Sequence, residues 1–149
     1  MFGFKKKQPE SVVDEILGKI IYTDSQWIGA SEFKLFEISY SIDIEMYSEN
    51  KEAVTNQQKE TYKKIINNTE IVEYIENVLS THFPTSDFRC VQYRPLSLCI
   101  KTNGDCALIV SVGEKEDQFF QQNVAISIFP EIKYYGSDES YMSEVFFGQ

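Results

Sequence analysis

The stretch from Thr55 to Phe83 is the only long segment of this sequence with helical periodicity, and strand-like sequence flanks it on both sides. That arrangement excludes a helical bundle and requires a sheet for the helices to cover. Thr55 with Gln58 three residues on fits a capping box, so a helix should begin at Asn56. At roughly 100° per residue, Tyr62, Ile65 and Ile66 cluster in one direction, while Ile71, Val72, Ile75, Val78, Leu79 and Phe83 cluster roughly 120° away. One straight helix cannot bury both groups. The intervening Asn67-Asn68-Thr69-Glu70 offers cap residues followed by an acid suited to a new helix N-terminus. We expect two helices, about 56–67 and 69–83, with Pro84 ending the second.

The 149 residues form one domain by default, with residues 1–8, rich in lysine, read as a flexible basic terminus. Hydrophobic content of 42% is enough for a real core and excludes a disordered chain. There are 23 acids against 14 bases, a formal net charge of −9, which opposes binding to nucleic acid and to anionic membranes and favours a basic partner. No apolar run approaches the roughly 18 residues of a spanning helix, and the first residues lack a signal-peptide core, so a cytoplasmic address is expected.

In chain order, Pro9 to Leu17 reads as one or two helical turns capped by Ser11 and stopped by Gly18. Lys19 to Thr23 and the segment starting Gln26-Trp27-Ile28-Gly29 read as paired strands around Asp24-Ser25. From Phe36 to Met46 apolar residues alternate with Glu37, Ser39, Ser41, Asp43 and Glu45, the pattern of a strand covered on one face and wet on the other; its length leaves room for a hairpin near Glu37 to Ser39. After a polar connection (48–54) and the helices, Phe88 to Tyr93 is extended, and Pro95 marks an edge or loop. Leu96 to Lys101 and Cys106 to Val112 flank Asn103-Gly104, a strong hairpin signal, and both arms are apolar enough to be buried on two faces. Asn123 to Phe129 and Glu131 to Tyr135 read as further strands around a charged loop (114–117) and before a polar turn (137–140), and Tyr141 to Phe147 is apolar enough to dock. The expected fold is α+β: an antiparallel sheet in the order β-β-β-α-α-β-β-β-β, with a central helical pair packed on one face.

Leu17-Gly18-Lys19, the strand Trp27-Ile28-Gly29, Thr55-Asn56-Gln57-Gln58 with Tyr62 and Asn68, an amphipathic second helix, and Pro130 with Gly136 follow in an order that resembles a group of small bacterial domains of unknown function. Members of such groups are sometimes found near polymorphic-toxin and immunity genes. The resemblance implies a toxin-neutralising role and supplies no functional residue.

Catalytic and cofactor motifs are sparse. No phosphate-cradling glycine loop, dinucleotide fingerprint or zinc-protease motif occurs. Cys90, Cys99 and Cys106 with His82 could make a Cys3His set, but alternating strand positions more often bury cysteines as small hydrophobes, and we expect no metal and no cofactor. His82 beside apolar residues at a helix end reads as a packing or capping group rather than a catalytic base. Basic-aromatic interleaving at Arg89, Tyr93 and Arg94 is too thin for a nucleic-acid surface. What remains is a partner-binding surface of Asp43, Glu45, Glu49 and Glu52 that would steer a basic protein. An interface of this kind expects a flat acidic face. A small-molecule enzyme expects a deep pocket converging on His82, a cysteine or clustered acids, and a structural or oligomerisation domain expects an exposed apolar patch or sheet edge.

Overall fold

A computed structural model describes residues 10–84, 91–114 and 117–137. Its elements are β1 (Ser11–Asp14), β2 (Gly18–Thr23), β3 (Gln26–Leu35), β4 (Ile38–Tyr47), a 3-10 turn (Glu49–Lys51), α1 (Asn56–Ile65), α2 (Thr69–His82), β5 (Val91–Ile100), β6 (Cys106–Glu114), β7 (Asp117–Phe129) and β8 (Lys133–Ser137). The fold is α+β. The strands of the described residues lie side by side in one sheet in chain order, each antiparallel to its neighbour except β4 and β5, which are parallel. That exception explains the helices. Antiparallel neighbours need only a tight turn, whereas a parallel pair needs a crossover of a dozen or more residues, and α1 and α2 fill this one.

The expected order is therefore corrected: four strands, not three, precede the helices, and the sheet is mixed. The extra strand is β1, where helical turns were expected. Its four residues are held by pairing with β2, and Asp14 then accepts the N–H groups of Ile16 and Leu17 to fold a short turn. Gly18, with φ of +73°, closes that turn instead of stopping a helix. Val12 and Val13 are 43% and 84% exposed on this edge, so their apolar character is no sign of docking.

The long alternating run resolves into a hairpin. Phe36 and Glu37 both take positive φ (48° and 66°) as the two-residue turn joining β3 to β4, and β3 runs six residues beyond Gly29 to Leu35. Pro95 lies inside β5, not at an edge: it precedes Ser97, where pairing with β4 begins, and a bulge follows it. In the next hairpin Gly104 alone takes positive φ (94°), and its N–H donates to the Lys101 carbonyl. β8 carries Gly136 within it rather than ending before it.

The helices start and stop where their caps dictate. Thr55 and Gln58 form both bonds of the capping box, and Asn68 caps α2 by accepting from Ile71. Asn67, at φ +66°, makes the elbow between them. Ile65, Ile75 and Leu79 pack with Ile42, Ile44, Met46, Leu98, Ile100, Leu108 and Ile126 in the main core. Each such aliphatic side chain contributes about 1.5–3 kcal/mol on full burial. On the opposite face Cys99, Ala107, Ile109 and Ala125 form a second buried cluster, so β5 and β6 are buried on both faces. The basic terminus (1–8), Cys90, Arg89, and the segment Tyr141 to Phe147 lie outside the described residues, as do most of the two loops expected at 114–117 and 137–140.

Candidate functional site: an acid-lined cleft beside a strand edge

Asp43 and Glu45 alternate with the core residues Ile42, Ile44 and Met46, so they share the sheet face turned away from the helices. Asp43 is exposed. Glu45 is half-buried and accepts from the Cys99 thiol at 3.1 Å. Glu49 and Glu52 are exposed in the turn beyond β4, where the Glu52 carbonyl accepts from the Trp27 indole at 2.9 Å. The structure thus sets Asp43 and Glu45 side by side on one strand and holds Glu52 by its backbone.

Residues not singled out from sequence make a more developed feature. A cleft of about 630 Å³ opens between β3, the start of β4 and the α1–α2 elbow. Of the described residues lining it, Glu32, Glu37, Glu73 and Glu76 are acidic and Lys34 alone is basic, over apolar walls of Phe33, Ile65, Ile66 and Val72. Two side-chain ties hold the helices against this end of the sheet: the Tyr62 hydroxyl meets that of Ser31 at 3.0 Å, and the Phe36 N–H donates to the Glu76 carboxylate at 2.6 Å. In register, Ala30 faces Asp43, and Glu32 is the next residue on the same face of β3. Glu45, Asp43 and Glu32 therefore form an acidic strip running to the cleft.

The β3 wall has a second property. In a two-residue hairpin the pair that closes the turn, here Leu35 and Ile38, exchanges both hydrogen bonds, and bonded and non-bonded pairs then alternate. Leu35, Phe33 and Ser31 consequently bond to β4, while Glu32 and Lys34 turn their N–H and C=O groups outward. On that side β2 pairs with β3 only from Gln26 to Ile28. Among the described residues no strand pairs with the outer edge beyond it.

His82 lies outside the cleft, with its ring stacked on Tyr134 at 3.8 Å between centroids. Cys99 and Cys106 are buried on opposite faces of the sheet. Burial, reinforced for Cys99 by the Glu45 carboxylate, pushes both thiols well above their ordinary range, so neither is a ready nucleophile. Among the described residues no group of three or more His, Cys, Asp or Glu is placed to hold a metal ion, and no helix is long and apolar enough to cross a membrane. The cleft can take positively charged groups and extended backbone; its described lining holds no histidine or cysteine. The chain matches no family model, no curated protein and no solved structure.

Its acids are scattered over β3, the turn after it and α2, and only the sheet register and the helix elbow assemble them. The signal that could have found the site is the unassigned run Ala30 to Leu35, whose Glu32 and Lys34 alternate with Phe33 and Leu35 as a strand does.

Proposed function

We propose that this chain is a cytoplasmic, bacterial protein-binding domain whose partner is basic, of the immunity type: an inhibitor that occludes a basic toxin such as a nuclease. The observation that carries this reading is the cleft lined, among the described residues, by four glutamates and one lysine and continuous through Glu32 with Asp43 and Glu45, in a chain of net charge −9. Such a field accelerates encounter with a basic surface and repels nucleic acid. The resemblance to bacterial domains found near immunity genes supports the same reading.

The test is co-purification with the products of adjacent genes, using the parent chain, Asp43→Lys/Glu45→Lys and Glu37→Lys/Glu73→Lys. A neighbouring basic protein should bind the parent in a salt-sensitive way and bind each reversed pair more slowly. A partner that binds every variant at the parental rate would refute acidic recognition, and failure of every neighbour to bind would refute the immunity class. A small-molecule enzyme is the second reading, favoured by a cleft volume within the usual range of ligand pockets. Its chemistry would rest on the carboxylates of Glu32, Glu37 and Glu73, since Glu76 is engaged by the Phe36 N–H.

A further inference from the structure

We infer that the outer edge of β3 takes an extended, lysine- or arginine-bearing segment of the basic partner as an added strand. This rests on the reading above and says how the partner is held. Glu32 and Lys34 turn two N–H and two C=O groups away from β4, and both residues line the cleft. A strand laid along them would pair with both, as each strand of a sheet pairs with its neighbour, and the apolar floor at Phe33 and Val72 would take alternate side chains.

Charge selects the occupant. Exposed sheet edges invite any strand, and proteins commonly guard them with lysine. Here Lys34 is outnumbered by Glu32, Glu37, Glu73 and Glu76, so the basic side chains on one face of an incoming strand meet a carboxylate whichever way they point: Glu32 away from the helices, or Glu73 and Glu76 toward α2. A second copy of this chain would bring its own acids to the same place, and like charges oppose that pairing. Among the described residues the edge is open, and its charge favours a basic strand over a second copy.

The experiment uses the full chain with a short capped peptide of alternating lysine and valine, and a glutamate-valine peptide as control. Binding is followed by fluorescence anisotropy, and amide hydrogen exchange is read residue by residue. The basic peptide should bind, the acidic one should not, and exchange at the Glu32 and Lys34 amides should slow severalfold on saturation. Lys34→Pro removes one outward N–H without touching the bonds to β4 and should bind about 2- to 10-fold more weakly than Lys34→Ala, which loses the same charge but keeps the N–H, the difference being the worth of one hydrogen bond. Its denaturation midpoint, unchanged, would show that the fold persists. Glu37→Lys/Glu73→Lys should weaken binding further and flatten its salt dependence.

Binding that responds to charge reversal while the Glu32 and Lys34 amides exchange unslowed would overturn strand addition and leave acidic recognition standing. Equal binding of both peptides would overturn both readings. Concentration-dependent dimerisation that protects the same amides without peptide would overturn the choice of occupant in favour of a second copy.

Discussion

Gln58 is the side chain on which the position of the helix pair most depends. It is 1% exposed and makes three hydrogen bonds: its Oε1 accepts the Thr55 N–H at 2.9 Å, and its Nε2 donates to the carbonyls of Tyr47 at 2.8 Å and Ile100 at 3.1 Å. Those carbonyls sit at the ends of β4 and β5, the two parallel strands that the helices connect. Gln58→Leu keeps much of the volume and removes all three bonds. At about 1 kcal/mol net per bond the loss is about 3 kcal/mol, and leaving carbonyls dry adds to it while the extra apolar burial offsets part. A net cost of about 3 kcal/mol should lower the melting temperature by roughly 6–12 °C for a chain of this size. Gln58→Glu makes a sharper comparison. It keeps an acceptor for Thr55 but turns a buried negative charge toward two carbonyl oxygens, so at neutral pH it should be less stable than the leucine variant. It should recover as acid protonates it and restores a donor. Urea unfolding followed through Trp27, the single tryptophan, measures both. A leucine variant within about 1 kcal/mol of the parent, or a glutamate variant as stable as it at neutral pH, would refute the view that these bonds seat the helices.

Two further predictions concern local structure. Asp14 loses stability to burial but gains more from Lys59, whose ammonium lies 2.9 Å away, and from the N–H groups of Ile16 and Leu17, and its carboxyl is held below the usual range. Its contribution is therefore whole above the unfolded pKa of about 3.9 and disappears as pH falls through the lower folded value. Asp14→Asn should be less stable than the parent at neutral pH, and the gap should close in acid, as a series of urea midpoints would show; a gap independent of pH would contradict the assignment. Gly104 combines φ of +94° with a Cβ position only 2.9 Å from the Thr61 hydroxyl and 3.3 Å from the Gln57 carbonyl. Gly104→Ala should cost more than about 1 kcal/mol, and Thr61→Ser should not relieve it because the clashing hydroxyl and the strained φ both remain.

What could be read from sequence was what short-range chemistry determines. The capping box at Thr55 and Gln58, the Asn68 cap and the stop before Pro84 each lie within a few residues and appear where expected. The Ile42, Ile44 and Met46 alternation predicted its own burial. β1 was missed because Val12, Val13, Ile16 and Leu17 carry helical spacing, while the strand exists through its pairing with β2 and a carboxylate-bound turn, neither of which leaves a period in the sequence. Phe36 was placed in a strand because it continues the apolar alternation of Ile38 to Met46, and an aromatic at positive φ is unusual. It is tolerated here because the turn must match the twist of its strands and its N–H is taken by Glu76, forty positions away.

The same distinction explains the candidate site. Asp43 and Glu45 could be put on one face because a strand alternates, and Glu49 and Glu52 were grouped with them by proximity in sequence alone. The cleft joins residues between Glu32 and Glu76 across a parallel crossover that no local pattern announces. The open edge comes from the short pairing of β2 with β3. β2 leaves β3 after three paired residues to pair with β1, while β4 follows β3 to its end and then hands the chain to the helices. The elbow at Asn67 turns α2 back toward the β3–β4 hairpin, where Glu76 takes the Phe36 N–H and its neighbour Glu73 lines the cleft. Among the described residues, the β3 edge left open by the short β2 pairing is thus flanked by carboxylates that the helical crossover brings to it. A change that loosens the helices from β3 without removing a carboxylate, such as Tyr62→Phe, which breaks the tie to Ser31, should weaken peptide binding at the edge although Glu32 and Lys34 are untouched. Anisotropy of the basic peptide measures it, and parental affinity in that variant would separate the edge from the helices and contradict this account.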